Sequence, residues 1–187
     1  MVSTVRILLD NEQDRRIFSD TNLPDSVQKY GIHSNTYSAY PIQEPIVRIT
    51  DVSALVLRLP DVTDACDGTQ DTCLVKIETD SGITGWGEVD SCPSVVKAVI
   101  DAPLSHQICN GLGNALLDAD PLAVEVCMEK MMSAANYYGR AGVGRHAMAG
   151  VNLALWDIAG KSAGVPVYRL LGGGFSTRFR AYASVLF

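Results

Sequence analysis

The stretch Ala147–Gly174 reads AMAGVNLALWDIAGKSAGVPVYRLLGGG, and its spacing predicts a helix, a sharp stop and the start of a new α/β unit. Ala147, Val151, Ala154, Leu155 and Ile158 recur at the i, i+4, i+7, i+8 intervals that put side chains on one helix face. Alanines at 147, 149, 154 and 159 would let a neighbouring backbone come close, and Trp156 adds a large apolar body with one N–H to satisfy. Lys161 suits the negative end of the helix dipole, Gly164 can take a left-handed cap, and Pro166 forbids continuation. A short turn, Val167 to Leu171, then runs into three glycines.

Within this stretch Gly160-Lys161-Ser162 has the look of a phosphate-loop ending. That loop needs a glycine where Leu155 stands, and a strand before it with a helix after it, whereas here the triplet closes a helix. A nucleotide site is therefore not assigned.

Upstream of it, Ile46–Val52 and Ala54–Leu59 are β-rich, Cys73–Thr79 alternates, and Ile83–Val89 follows the tight turn Asp80-Ser81-Gly82. Three strands joined in sequence predict an antiparallel meander. Gly85 and Gly87 in the third strand would admit another backbone. Helices are expected over Ser91–Asp101, with Pro93 in its first turn, and over Leu104–Cys109, ended by Gly111 and Gly113. Another is expected from Asp120-Pro121, with an acidic cap and a methionine-rich core face (Val124, Met128, Met131, Met132). Asn136–Gly142 reads as the loop into the long helix. Met1 to Pro45 is polar and poorly patterned, and reads as a loosely ordered extension.

The 187 residues are 47% hydrophobic and 19% charged, enough for a sizeable core, with net charge −6 and a sequence pI near 4.9. That acidity argues against general nucleic-acid or anionic-membrane binding. The first sixteen residues hold only a short apolar patch broken by Arg6, and no run reaches the length of a membrane helix, so a cytoplasmic protein is the expectation. Five scattered cysteines with no Cys-x-x-Cys fit reduced intracellular thiols. His106 and Cys109 are three apart on an expected helix but have no second ligand pair, and His33 and His146 are isolated; no metal site is assigned.

The long helix resembles the signature helix of the mandelate racemase and muconate lactonizing enzyme group of the enolase superfamily. Ala147, Ala149, Gly150, Val151, Ala154, Leu155, Asp157, Ile158, Gly160, Lys161, Pro166, Leu170, Leu171 and Gly172 fit the group's pattern, and Asn152 departs from it where an acid is usual. The string of Thr79, Asp80, Gly82, Gly85, Gly87 and Glu88 matches as well. The resemblance implies an α+β fold: a three-stranded antiparallel meander packed on a helical bundle, the superfamily's N-terminal capping domain, over residues 46–174. Residues 1–45 would be an extension, and residues 175–187, with Arg178–Val185, the first strand of an otherwise absent (β/α)₈ barrel.

Members of this group abstract a proton next to a carboxylate and stabilise the enolate with Mg²⁺, using a Lys or His base and three carboxylates at the ends of barrel strands. A barrel needs about 250 residues, and residues 175–187 have room for one strand. No catalytic residue, metal ligand or cofactor is therefore assigned to this chain, and it is expected to be inactive alone.

The resemblance leaves the cap's role: to close the barrel mouth and select the substrate's distal end. The two loops that do this would be Pro60–Thr72 and Asp90–Pro93. The candidate substrate-facing residues are Val62, Cys66, Asp67, Asp90 and Cys92, with Tyr137 and Tyr138 behind them. Aspartates and tyrosines suit the hydroxyls of an acid sugar better than an apolar ring, although turn chemistry alone also favours aspartate here. The implied enzyme is an acid-sugar dehydratase or racemase acting on a small carboxylate. The alternative is a free-standing, non-catalytic domain that binds another protomer or a full-length paralogue. The tail Phe179–Phe187, apolar and β-prone with one charge at Arg180, is expected to promote self-association.

Overall fold

The computed structural model describes residues 47–63, 70–174, 176 and 178–181. Expectations that fall on residues 1–46, on 64–69 (which include Cys66 and Asp67) and on 182–187 lie outside the described residues. The meander is present as β1 (Ile49–Arg58), β2 (Asp71–Thr79) and β3 (Thr84–Val89), in sheet order β1-β2-β3 with both pairings antiparallel. The two expected segments at the N-terminal side are one strand, with a register shift between Ile49 and Asp51. Gly82 turns the chain between β2 and β3 at φ +81°, a value that only glycine takes without strain.

Alternation places Val52 and Ala54 of β1, Cys73, Val75, Ile77 and Thr79 of β2, and Gly85, Gly87 and Val89 of β3 on one buried face. Helices α1 (Pro93–Asp101), α2 (Leu112–Leu116) and, after α3 (Val124–Ala134), α4 (Val143–Ala163) cover that face; α3 packs on α2 and α4, and the single turn α5 (Val167–Leu170) follows α4. Val151, Leu155 and Ile158 of α4 are fully buried together with Ala147 and Ala154, as their spacing requires. The helix stops on Gly164 in the left-handed region, with the Val165 N–H bonded to the Gly160 carbonyl at 3.0 Å and the Gly164 N–H to the Lys161 carbonyl at 3.2 Å.

The close approach expected at the glycines is the contact between α4 and β3. A Cβ at Gly87 would collide with the Gly150 carbonyl oxygen, one at Gly85 with the Ala154 carbonyl oxygen, and one at Gly150 with the Val89 side chain. The helix therefore lies directly on the strand backbone, its residues 150, 154 and 158 meeting β3 in descending order. The two elements run antiparallel.

Three expectations are corrected. Leu104–Cys109 is not a helix: His106 and Cys109 bridge across a turn, with the His106 N–H bonded to the Cys109 carbonyl at 3.1 Å and the reverse bond at 2.9 Å. The helix lies further on, at Leu112–Leu116. Asp120-Pro121 does not open α3 either. The Asp120 carboxylate accepts the Leu122 N–H at 2.8 Å and closes a turn, so that α3 begins at Val124 without a side-chain cap. Its buried face is Val124, Cys127, Met131 and Ala134, with Met128 and Met132 only partly buried at its side. Finally, Arg178–Ala181 takes no strand conformation, and the remainder of the expected barrel strand lies outside the described residues.

Candidate functional site

The meander's topology fixes where the two candidate loops sit. β1 ends, β2 begins and β3 ends at the same end of the sheet, because Arg58 pairs with Asp71 and Cys73 with Val89. The β1–β2 connection and the Asp90–Cys92 turn therefore leave the sheet side by side. Helix α4, antiparallel to β3, starts at that same end: His146 Nδ1 and Ser91 Oγ are 3.2 Å apart and tie its first turn to the Asp90–Cys92 turn.

In this setting Val62 is partly exposed and Asp90 and Cys92 are exposed. The β1–β2 connection is held by a side-chain clasp in which the Gln70 amide donates to the Thr63 carbonyl at 2.6 Å and accepts the Thr63 N–H at 3.0 Å. Thr72 donates to the Glu88 carboxylate at 2.8 Å, bracing β2 against β3 just below the loops. Cys92 also starts α1: its carbonyl accepts the Val95 and Val96 N–H groups at 3.1 and 3.0 Å. Its thiol is free.

The two tyrosines are engaged elsewhere. Tyr137 is 68% exposed and meets the His106 ring edge-on, with centroids 5.2 Å apart. Tyr138 is half-buried and donates its hydroxyl to the Asn110 carbonyl, and burial raises its pKa above the ordinary phenol value. Both thus brace the 105–110 turn against the approach to α4. Val62, Asp90 and Cys92 share the loop end of the sheet, whereas the tyrosines' described contacts run to His106 and Asn110.

Two features of this region escape a reading of the sequence. His146 stands alone in the chain, and only the folded helix brings it to Ser91. The pair Asp157 and Lys161 fits the signature pattern, but its role is set by the free edge of β3. The Asp157 carboxylate accepts the Trp86 N–H at 2.9 Å, and the Lys161 ammonium donates to the Thr84 carbonyl at 2.7 Å and to Asp157 at 2.6 Å. Their i, i+4 spacing was the only signal available.

Among the described residues no group of three or more His, Cys, Asp or Glu is placed to hold a metal ion. The described part of the chain does not fit a Mg²⁺ site. No helix among the described residues is long and apolar enough to cross a membrane.

The sheet, the glycine-mediated helix contact and the signature helix coincide with one family description: residues 50–172 match the model for the mandelate racemase / muconate lactonizing enzyme N-terminal domain. The chain belongs to this family.

Its curated relatives include D-galactonate dehydratase of Variovorax paradoxus (strain S110), 38% identical over 113 residues, and that of Verminephrobacter eiseniae (strain EF01-2), 42% identical over 113 residues. Each alignment covers 59% of this chain and 27% of the relative, so the chain spans about a quarter of the length of the curated relatives it matches. Among solved structures it is similar to the 3,6-anhydro-D-galactonate cycloisomerase from Zobellia galactanivorans, with TM-score 0.56 and 32% identity, covering 67% of this chain and 32% of that one. It is similar also to a mandelate racemase/muconate lactonizing protein from Paracoccus denitrificans PD1222 complexed with magnesium, with TM-score 0.56 and 27% identity, covering 71% and 32%.

Proposed function

We propose that this chain is the capping and substrate-selecting part of a Mg²⁺-dependent acid-sugar dehydratase or racemase, and that it has no turnover alone. The observation that carries the reading is the shared end of the sheet. There the β1–β2 connection, the Asp90–Cys92 turn and the first turn of α4 converge on a rigid base. Loops on a rigid scaffold are suited to choosing a ligand without reacting with it. Asp90 supplies an acceptor for sugar hydroxyls, Cys92 and Val62 supply apolar edge, and Cys66 and Asp67 belong to the same connection. Tyr138 braces the site, since its hydroxyl is already engaged.

The chemistry would come from a barrel: proton abstraction next to the carboxylate, with the cation neutralising the enolate's developing charge. Residues 46–174 would be the cap and 175–187 the start of the barrel domain. Leu153 on α4, Leu171 just after α5 and Phe179, which are 53%, 65% and 83% exposed, are apolar residues that a second domain would cover. The names of the relatives support an aldonic acid as the substrate class, because a polyhydroxylated chain needs polar partners at its distal end.

The test is a chimera in which residues 46–174 replace the corresponding cap of the Variovorax paradoxus enzyme, assayed with Mg²⁺ on a panel of aldonic acids. The expected result is retained dehydration with a changed order of kcat/KM among the acids, changed again by Asp90→Ala. A folded chimera that ranks the acids as the parent does, with or without Asp90, would contradict the reading.

A further inference from the structure

Gly85, Gly87 and Val89 alternate onto the face of β3 that meets α4. A Cβ at Gly85 would meet Ala154 and Ile158, one at Gly87 would meet Gly150 and Ala154, and Val89 lies against Gly150. Two strand residues advance about 6.8 Å and four helix residues about 6 Å, so the antiparallel elements keep step. Continued by one rung, the strand side gives residue 91 and the helix side residue 146. Those two residues meet: Ser91 Oγ and His146 Nδ1 are 3.2 Å apart. The series therefore runs past the last pair of the β2–β3 ladder, Cys73 with Val89, into the Asp90–Cys92 turn.

The rungs change character where the sheet ends. Along the strand, glycines let backbone lie on backbone. At the turn, two polar side chains span the gap instead. Val89 before the turn is buried, and the Cys92 carbonyl after it accepts the Val95 and Val96 N–H groups that start α1. Ser91 stands between these fixed points, half-buried, and its hydroxyl is held from α4. His146 is itself set in the helix, its N–H bonded to the Gly142 carbonyl at 3.1 Å, and its side chain is exposed while Ala147 and Gly150 beside it are buried. A single hydrogen bond at the surface contributes little to global stability. What this one fixes is local: the backbone on which Asp90 and Cys92 stand.

We propose that His146 is a positioning residue for substrate selection: through Ser91 it holds the Asp90–Cys92 turn in the place from which Asp90 meets the distal end of an aldonic acid. This rests on the capping and selecting role proposed above. It gives α4 a second task, since the helix that packs the sheet also sets the height of a selecting loop. The bond uses the ring nitrogen nearer the backbone. Asparagine carries a polar side-chain atom at about the same reach and keeps the bond, whereas alanine removes it.

The experiment has two arms. In the full 187-residue chain, NMR relaxation of the backbone amides is compared among the wild type, His146→Ala, Ser91→Ala, the double variant and His146→Asn. Order parameters at residues 90–92 should fall toward about 0.6 in both alanine variants, no further in the double variant, and stay at the wild-type level in His146→Asn. Val89 and Val96 should stay rigid throughout. In the second arm the same substitutions enter the chimera that carries residues 46–174, assayed with Mg²⁺ on D-galactonate and related aldonic acids. Each alanine variant should raise KM for the preferred acid about fivefold or more, with a smaller effect on kcat, and His146→Asn should restore the wild-type ranking. A turn as ordered in His146→Ala and Ser91→Ala as in the wild type would overturn the inference and leave the capping role standing. So would a chimera whose ranking depends on Asp90 but not on His146 or Ser91. A chimera indifferent to Asp90 as well would remove the capping role, and this inference with it.

Discussion

The Asp157 carboxylate holds the backbone N–H of Trp86 at 2.9 Å, 71 residues away in sequence, while its own neighbour one turn on, Lys161, holds the Thr84 carbonyl. A pair that spacing alone would class as a surface salt bridge therefore closes a sheet edge. Exposed ion pairs contribute little, but a hydrogen bond from a backbone N–H to a charged carboxylate contributes more.

Replacing Asp157 tests this division. Asp157→Ala leaves the Trp86 N–H and the Lys161 ammonium without that partner and is expected to destabilise the fold by about 1–3 kcal/mol. Asp157→Asn keeps an oxygen for Trp86 and loses only the charge, at a cost of under about 1 kcal/mol. Urea denaturation of the two variants checks this, and equal losses would show that the charge, not the edge bond, is what matters.

The glycines of β3 give a second ordering. Gly87→Ala drives a methyl into the Gly150 carbonyl, and both partners are backbone that cannot swing aside. It should cost at least about 3 kcal/mol or prevent folding. Gly82→Ala meets no atom but must adopt φ +81°, and should cost about 1 kcal/mol. Denaturant midpoints that rank the two the other way would refute the close packing of α4 on β3.

Stability should fall in alkaline solution. Burial pushes the Cys127 thiol up to about 11, and burial likewise raises Cys73 and Tyr138. A raised folded pKa means that the unfolded chain loses its proton first. The contribution of Cys127 is thus complete below the unfolded value near 9 and is lost as pH rises toward 11, at about 1.4 kcal/mol per pH unit. Urea midpoints measured from pH 7 to 10.5 should hold level and then drop. A level or rising profile would contradict the burial of these groups.

What could be read from the sequence was whatever local spacing determines. The stop at Gly164, the inward face of Val151, Leu155 and Ile158, and the turn at Gly82 each follow from a few neighbouring residues. Leu104–Cys109 misled because the bridge between His106 and Cys109 takes the backbone groups that a helix there would use. Asp120-Pro121 carries helix-start chemistry, yet its carboxylate serves a turn. At the candidate site the loops were legible, because a meander must deliver them to one end of the sheet. The meeting of His146 with Ser91 and of Tyr137 with His106 was not, because each joins residues far apart in sequence through tertiary packing alone.

As proposed, this chain would select a substrate and leave its transformation to a barrel domain. The most direct measurement is a titration of the 187-residue chain with Mg²⁺ by calorimetry, followed by an assay of the same preparation on D-galactonate and related aldonic acids. No stoichiometric tight Mg²⁺ site and no turnover by the chain alone are expected. A one-to-one Mg²⁺ complex that dehydrates or racemises any of these acids would contradict the proposal.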